Sequence, residues 1–317
     1  MPETEPPQIT VIGSLNKDLV TRTSRIPGAG ETLTSESFTT GSGGKGANQA
    51  VACARLGKHD VHSNGTVLVR MIGAVGDDAF GVDLIDALHR DGINTDGVQT
   101  LSHMKTGVSV VIVEEDTGEN RILFSPGANY FIEPGHLNQV LVPRPPDLIV
   151  LQLEIRLNLV LAALKLAKDN GIDVLLNPAP ALELPHEVYP AITHLIMNET
   201  EAATLSKIPG NDWKHIARKF HDLGVRNVII TLGSEGVFFS TRDQTGHIAA
   251  EKVKVVDTTA AGDTFVGAYA VAVVSQTDDE NHENIELAVR KANKAAGMTV
   301  QKHGAQEGIP YSGDLPP

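Results

Sequence analysis

An aspartate near the C-terminal end of the chain follows a run of very small residues. Asp263 comes directly after Ala260-Ala261-Gly262, at the start of a predicted helix over 262–274. Small side chains let a ligand approach the backbone, and the N–H groups of a helix N-terminus point outward at the positive end of its dipole. Such a turn would stabilise charge developing on a transferring phosphoryl group, while Asp263 takes the proton of a substrate hydroxyl. An ordinary N-cap is the alternative, but a cap does not require Ala-Ala-Gly before the acid.

A second candidate site is the glycine-rich segment Gly41-Ser42-Gly43-Gly44-Lys45-Gly46, which precedes a predicted helix. Bare N–H groups at a helix N-terminus, with Lys45 and Asn48 beside them, suit hydroxyls or anions better than a plain surface turn does. The segment also matches the G-x-G-x-x-G fingerprint, and Asp60 lies about where a ribose-binding acid would be expected. A nicotinamide-dependent oxidoreductase is therefore an alternative. That fingerprint needs a buried strand directly upstream, whereas residues 36–40 are mostly polar. A P-loop is excluded because glycine, not Ser or Thr, follows Lys45.

Together the two segments resemble the paired signatures of the phosphofructokinase-B-type sugar kinases, and most closely their ribokinase branch. The signatures are Gly43-Gly44-Lys45-Gly46-Ala47-Asn48 and residues 257–265, and the resemblance extends from Ile9 to about Tyr311. It implies that ATP is the co-substrate and that its γ-phosphoryl group passes to O5 of D-ribose, with fructose or adenosine as alternative acceptors. It assigns Asp263 as the base. The anion hole would be formed by the backbone of Ala260, Ala261 and Gly262.

Matched residue by residue, the resemblance also implies a sugar site and a nucleotide site. The sugar site would comprise Asn16, Asp18, Gly44, Lys45, Gly46, Ala47, Asn48, Glu154 and Asp263. The nucleotide site would comprise Asn198, Thr231, Leu232, Gly233, Ser234, Glu235, Gly236, Gly262, Asp263 and Asn293. Amide and carboxylate side chains can each hydrogen-bond ring hydroxyls. Glu154 could instead be a helix N-terminal acid.

Two cation sites follow from the same resemblance. Asn198 and Glu201 would organise Mg²⁺ and phosphate, partly through water, although their spacing also fits a capping box. A monovalent-cation site, normally for K⁺, would comprise Asp257, Thr259, Thr299, Lys302, Gly304 and Gly308. Glu307-Gly308 departs from the family, which more often has a Pro-Ser-like pair there, so no side-chain oxygen is available at Gly308.

The elements that must position these residues alternate along the chain. Short apolar runs at 9–13, 71–75, 147–151, 173–176, 195–197 and 227–231 predict strands. Helical patterns cover 46–56, 79–90, 157–168, 199–206, 213–223, 262–274 and 284–300. This order predicts an α/β fold, a doubly wound and mostly parallel sheet with helices on both faces.

Two segments with a different pattern, about 17–42 and 99–125, predict a small β-sheet that acts as a lid. The second contains Asp116-Thr117-Gly118, a hairpin signal. We expect one kinase domain over 9–317 after a disordered tail at 1–8. Residues 59–69 should form a surface loop or hairpin. By resemblance, the lid would also pair two subunits as a homodimer.

Composition restricts the partners. The net charge of −13 disfavours nucleic acid and anionic membrane surfaces, and 4% aromatic residues disfavour a base-stacking platform. The lone Cys53 allows no intrachain disulfide and lies in an alanine-rich helical stretch, where packing is the favoured role. We expect a cytoplasmic protein, with the nucleus as an alternative. A non-catalytic sugar-binding descendant is a further alternative, against which the intact Asp263 argues.

Overall fold

The computed structural model describes residues 5–116, 119–276 and 284–316. Residues 1–4 of the predicted tail and part of the Asp116-Thr117-Gly118 signal lie outside this range. The strands in the described residues are β1 (Gln8–Ile12), β2 (Asn16–Thr23), β3 (Ser37–Gly43), β4 (Leu68–Gly76), β5 (Asn94–Leu101), β6 (Gly107–Glu114), β7 (Asn120–Ser125), β8 (Leu148–Leu151), β9 (Asp173–Leu176), β10 (His194–Asn198), β11 (Asn227–Thr231), β12 (Val237–Ser240) and β13 (Thr245–Ile248). The α-helices are α1 (Lys45–Leu56), α2 (Ala79–Arg90), α3 (Pro134–Leu141), α4 (Leu157–Asn170), α5 (Glu199–Ser206), α6 (Trp213–Asp222), α7 (Ala261–Val274) and α8 (Ile285–Thr299).

Nine strands form the main sheet in the order β13-β12-β11-β10-β9-β8-β1-β4-β5. Pairing is parallel from β11 to β5, and β12 and β13 add an antiparallel edge. The chain runs outward from β1 to β4 and then returns to β8 on the other side of β1. This topological switch point is where doubly wound sheets bind ligands, beyond the carboxyl ends of the strands. The predicted α/β fold is confirmed.

Two apolar cores lie on opposite faces of the main sheet. The first packs α1, α7 and α8 against one face, and the second packs α3 to α6 against the other. Helices α1 and α7 approach closely because Gly267 has no side chain: a Cβ there would lie 2.4 Å from the Cβ of Ala52. This close packing places the N-terminus of α1 beside that of α7.

The remaining strands form a separate four-stranded sheet in the order β3-β2-β6-β7. Strand β2 pairs parallel with β6 and antiparallel with β3, and β6 and β7 form the predicted hairpin. The sheet exposes Phe38, Ile122 and Leu123, which are 62%, 58% and 67% accessible. We call it the small sheet.

Two boundaries differ from expectation. Strand β5 pairs with β4 in the main sheet, so residues 99–101 of the second predicted lid segment belong to the main sheet. Of the two alternatives for 59–69 the loop is the one observed, since residues 58–67 contain neither helix nor strand and are largely exposed, but it ends earlier than predicted because residues 68 and 69 belong to β4. Among the described residues, none of the helices has the length and hydropathy that a membrane span requires.

Candidate active site

Glu154 joins the segment after β1 to the N-terminus of α1. Its Oε2 accepts hydrogen bonds from the Ser14 hydroxyl at 2.6 Å, the Lys45 backbone N–H at 3.0 Å and the Asn16 side-chain amide at 3.4 Å. Asn129, which sequence reasoning missed, donates to the Asn16 Oδ1 at 2.8 Å. The carboxylate therefore lies among the predicted sugar ligands, and it also receives an N–H of the first turn of α1.

The glycines before and within α1 allow this approach. Gly44 has φ of +89°, and a Cβ at Gly46 would lie 2.5 Å from the Ser14 backbone nitrogen. A Cβ at Gly43 would overlap the carboxylate of Asp18. A side chain at Gly44 or Gly46 would separate α1 from the residues that follow β1, and one at Gly43 would displace the Asp18 carboxylate.

Asp18, on β2 of the small sheet, faces several other acids. Burial raises the pKa of Asp18 to about 6, and the charges of Glu154, Glu307 and Asp263 act in the same direction. A hydrogen bond with Ser109 opposes this rise. The small sheet thus contributes a carboxylate to the same region as Glu154 and Asp263.

Asp263 is 7% exposed and is held by two amides from α1. Asn48 Nδ2 donates to its Oδ2 at 3.0 Å, and Gln49 Nε2 donates to its Oδ1 at 2.9 Å. The charge of Asp263 raises the pKa of Lys45; burial opposes this and Glu154 reinforces it. The predicted base and the glycine-rich segment therefore share one buried site, although 215 positions separate Asn48 from Asp263.

The turn before Asp263 has the geometry of an anion-binding helix start. Ala260 takes the left-handed conformation, with φ of +59°, and its carbonyl accepts the Thr264 N–H at 2.8 Å. The Ala261 N–H makes a long bond of 3.3 Å to the Thr258 carbonyl. The N–H groups of Gly262 and Asp263 lie in the first turn of α7, where helix geometry supplies no acceptor.

A cavity of about 750 Å³ opens beside this turn. Predicted nucleotide residues that line it are Thr231, Gly233, Ser234, Gly236, Gly262 and Asn293. Asn293 Nδ2 donates to the Ala249 carbonyl at 2.9 Å, and Val253, Phe265 and Val300 add apolar wall. Leu232 is buried and supports the turn through a 2.7 Å bond from its N–H to the Gly236 carbonyl. Neither Glu235 nor Asn198 lines the cavity.

Asn198 and Glu201 form a complete capping box at the start of α5. The Asn198 Oδ1 accepts the Glu201 N–H at 2.8 Å, and the Glu201 Oε2 accepts the Asn198 N–H at 2.9 Å. Burial raises the pKa of Glu201, and the charge of Asp263 adds to this, while the Asn198 N–H and Lys45 oppose it. The capping alternative is thus realised, and Glu201 also lies within electrostatic reach of Asp263, the predicted base.

The predicted monovalent-cation residues converge in space. Asp257 accepts the N–H and hydroxyl of Thr259 at 2.9 and 2.6 Å, and its other oxygen accepts the Gly304 N–H at 3.1 Å. Burial alone would raise the pKa of Asp257, but these hydrogen bonds outweigh it and lower that pKa. The Thr299 carbonyl accepts the Lys302 N–H at 3.1 Å and lies beside Gly308. The Thr299 hydroxyl instead bonds Thr264. Among the described residues, no group of three or more His, Cys, Asp or Glu could hold a metal.

The oxidoreductase alternative is wrong for a structural reason. A dinucleotide fingerprint follows a buried parallel strand, whereas the strand before α1 is β3, an antiparallel edge strand of the small sheet. Most residues of β3 are exposed, in keeping with its polar sequence.

Cys53 is fully buried and burial raises the pKa of its thiol to about 12, which fits the predicted packing role.

Comparison with known proteins shows the family of the chain. The model of the pfkB family carbohydrate kinase matches residues 6–311. A protein named ribokinase from Schizosaccharomyces pombe is 43% identical, over 95% of this chain and 94% of that protein. A protein named deoxyribokinase from Salmonella typhi is 40% identical, over 95% of each. The structure of Arabidopsis thaliana ribokinase complexed with ribose and ATP superposes with a TM-score of 0.84 at 31% identity, covering 96% of both chains. The resemblance drawn from the two signatures is confirmed, and the chain belongs to the pfkB family of carbohydrate kinases.

Proposed function

We propose that this enzyme transfers the γ-phosphoryl group of ATP to O5 of D-ribose. The observation that carries the proposal is the position of Asp263. Its carboxylate is bonded to Asn48 and lies within electrostatic reach of Asp18, a predicted sugar ligand on which the charge of Glu154 also acts, while the adjacent Gly262 lines the 750 Å³ cavity. A group at that junction lies between a sugar hydroxyl on one side and a nucleotide phosphate on the other.

In the proposed reaction Asp263 accepts the proton of the O5 hydroxyl as the oxygen attacks phosphorus. Backbone N–H groups at Ala260, Ala261 and Gly262 would stabilise the charge on the transferring group, those of Gly262 and the neighbouring Asp263 being free of intrahelical bonds. The Lys45 ammonium adds a positive charge, and the neighbouring carboxylates, Asp263 above all, raise the pKa of this group. Predicted residues Asn16, Asp18, Asn48 and Glu154 would orient the sugar.

Mg²⁺ fits the acid at α5. Glu201 uses Oε2 for the capping box, and its other oxygen is available to a hard cation or its waters. Burial raises the pKa of Glu201 because it disfavours the charged carboxylate, and a bound cation would stabilise that charged form. Asn198 would serve mainly by fixing this carboxylate. When bound, Mg²⁺ would neutralise the ATP phosphates.

K⁺ fits the cluster formed by Asp257, Thr259, Thr299, Lys302, Gly304 and Gly308. The hydrogen bonds that lower the pKa of Asp257 favour its ionised form, and the Thr299 carbonyl beside Gly308 is the kind of oxygen that suits a hard monovalent cation. Gly308 can contribute only its carbonyl. The bound charge would order the turn that leads into α7.

The small sheet would close over the sugar as a lid and exclude water, so that ATP is not hydrolysed without transfer. We take residues 17–42 and 102–125 as lid segments. Exposed Phe38, Ile122 and Leu123 on this sheet suit pairing of two subunits as a homodimer.

The lone buried Cys53 suits a reducing compartment, so we place the enzyme in the cytosol.

A second acceptor follows from the comparisons. The deoxyribokinase of Salmonella typhi is 40% identical to this chain, close to the 43% of the Schizosaccharomyces pombe ribokinase, so 2-deoxy-D-ribose is the competing substrate. A site that pairs with the 2-hydroxyl should strongly reject the analogue that lacks it.

Coupled ADP release with ATP, Mg²⁺ and K⁺ tests the proposal across D-ribose, 2-deoxy-D-ribose, D-fructose and adenosine. We expect the highest kcat/KM for D-ribose. A higher value for 2-deoxy-D-ribose would keep the mechanism and replace the substrate. No sugar-dependent release from any acceptor would overturn the proposed function.

A further inference from the structure

The base Asp263 is oriented by two amides whose own orientation is fixed from elsewhere. Each carboxylate oxygen accepts one N–H from α1, Oδ2 from Asn48 and Oδ1 from Gln49. A side-chain amide can present either its NH₂ or its carbonyl oxygen. Only the NH₂ face stabilises a carboxylate, so some other group must hold each amide in the donating orientation.

Two glutamines from distant parts of the chain meet this need. Gln152, directly after β8, donates to the Gln49 Oε1 at 2.7 Å. Gln306, in the C-terminal turn, donates to the Asn48 Oδ1 at 3.2 Å. With its carbonyl oxygen occupied by a donor, each α1 amide must turn its NH₂ toward Asp263.

The geometry points to Gln152 and Gln306 as positioning residues for the catalytic base, Gln152 acting through Gln49 and Gln306 through Asn48. The inference rests on the proposed function, because it needs Asp263 to be the base. Neither glutamine touches the base itself, and neither belongs to the sugar or nucleotide residues predicted from sequence.

Burial makes these amides costly unless they are required. Gln49 and Gln152 are fully buried, and Gln306 is 5% exposed. The Oε1 of Gln152 has no hydrogen-bond partner among the described residues, so the side chain leaves a buried acceptor unsatisfied while donating to Gln49. An apolar side chain of similar volume would avoid that penalty. Retaining a glutamine there is explained by its donor.

Each of the two hydrogen-bonded pairs, Gln152–Gln49 and Gln306–Asn48, is also held by neighbouring residues. Gln49 Nε2 lies 3.1 Å from the Asn177 Oδ1, and Asn177 in turn donates to the Ile196 carbonyl at 3.0 Å. The backbone of Gln306 is held by Arg55, which donates to its carbonyl at 2.5 Å and pairs with Asp91. The Gln152–Gln49 pair thus connects Asp263 to the carboxyl edge of the main sheet, and the Gln306–Asn48 pair connects it to the C-terminal turn.

The test uses Gln152→Met and Gln306→Met, which keep the side-chain volume and remove the donor. With D-ribose as acceptor we expect kcat to fall by about 5- to 50-fold in each, with the KM for ATP within about twofold of wild type. Gln301 is the matched control, because it is an exposed glutamine near the C-terminus whose side-chain amide, among the described residues, bonds only the Gly297 carbonyl. Gln301→Met should behave as wild type.

A double-mutant cycle separates positioning from packing. Gln152→Met should lose most of its effect when Gln49 is already Met, because Gln152 acts only through that amide. Thermal unfolding and ATP-binding stoichiometry of each variant show what fraction is folded. Additive losses in the cycle, or a kcat that falls only with the folded fraction, would overturn the inference. Wild type that turns over no acceptor would instead refute the proposed function, whereas active wild type with unaffected variants refutes only the positioning roles.

Discussion

Protonation of Asp18 should set the acid limit of sugar binding. Its pKa is raised to about 6, chiefly by burial, and an Asp18 that accepts sugar hydroxyls must be ionised. If only the charged form binds well, the KM for ribose scales as one plus the protonated-to-ionised ratio. The KM should then be flat above pH 7, double near pH 6, and rise roughly tenfold by pH 5.

The same shift has a consequence for stability. Since the pKa of Asp18 is higher in the native state than its ordinary value of 3.8, the native protein binds the proton more tightly than the unfolded chain between those pH values. The free energy of unfolding of the ligand-free protein therefore falls as pH rises from about 4 to 6, by on the order of 3 kcal/mol from this group. Asp18→Asn should be more stable at pH 7, by an amount up to that order.

The assay is coupled ADP release between pH 5 and 8, with urea unfolding at pH 7 in parallel. Asp18→Asn should show a raised but pH-independent KM and a higher urea midpoint. Asp86, an exposed acid on α2, provides the control substitution Asp86→Asn, which should leave both curves unchanged. If the KM for ribose still rises at acid pH in Asp18→Asn, or if the wild-type KM is flat down to pH 5, Asp18 is ruled out as the titrating group.

Three further predictions concern the base, the metal acid and the helix packing. Asp263→Asn should lower kcat per folded molecule by at least about 10²-fold, as measured by ADP release, with calorimetry giving the folded fraction; wild-type turnover in this variant would contradict its role. Glu201→Gln should raise the Mg²⁺ concentration for half-maximal rate about tenfold, since it preserves the capping box but removes the charge; an unchanged Mg²⁺ titration would count against the assignment. Gly267→Ala should destabilise the fold by about 1–3 kcal/mol in urea, because its Cβ would meet Ala52 at 2.4 Å, and an unaffected midpoint would show that α1 and α7 can separate freely.

Local signals predicted most of the main sheet and its helices. The apolar periodicity between Gly76 and Gly92 predicted α2 at 79–90, where the structure has Ala79–Arg90. Strand β5 carried no such signal, because Asn94–Leu101 is an edge strand whose polar residues are mostly accessible, and its place depends on pairing with β4. Helix α3 has only Leu137 and Leu141 buried, which is too little to mark it in the sequence.

The candidate site divides in the same way. Gly44, Asn48 and Asp263 lie in dense motifs, and the residue types of those motifs are enough to indicate their chemistry. Gln152 and Gln306 are single amides with ordinary neighbours, and their role depends on hydrogen bonds that join positions 103 and 258 residues apart. Nothing in local spacing encodes such pairs. Gln49 alone had a usable signal, since it directly follows Asn48 at the helix start.

Asp263 is proposed to promote phosphoryl transfer from ATP to O5 of ribose, and the product itself reports on this step. The measurement is ³¹P and ¹H NMR of the product formed from D-ribose and ATP by wild type and by Asp263→Asn. We predict a phosphomonoester coupled to the C5 protons in the wild-type reaction, and essentially none from the variant over the same time. Phosphate on another oxygen, inorganic phosphate in place of a sugar ester, or equal product from the variant would contradict the proposed role of Asp263.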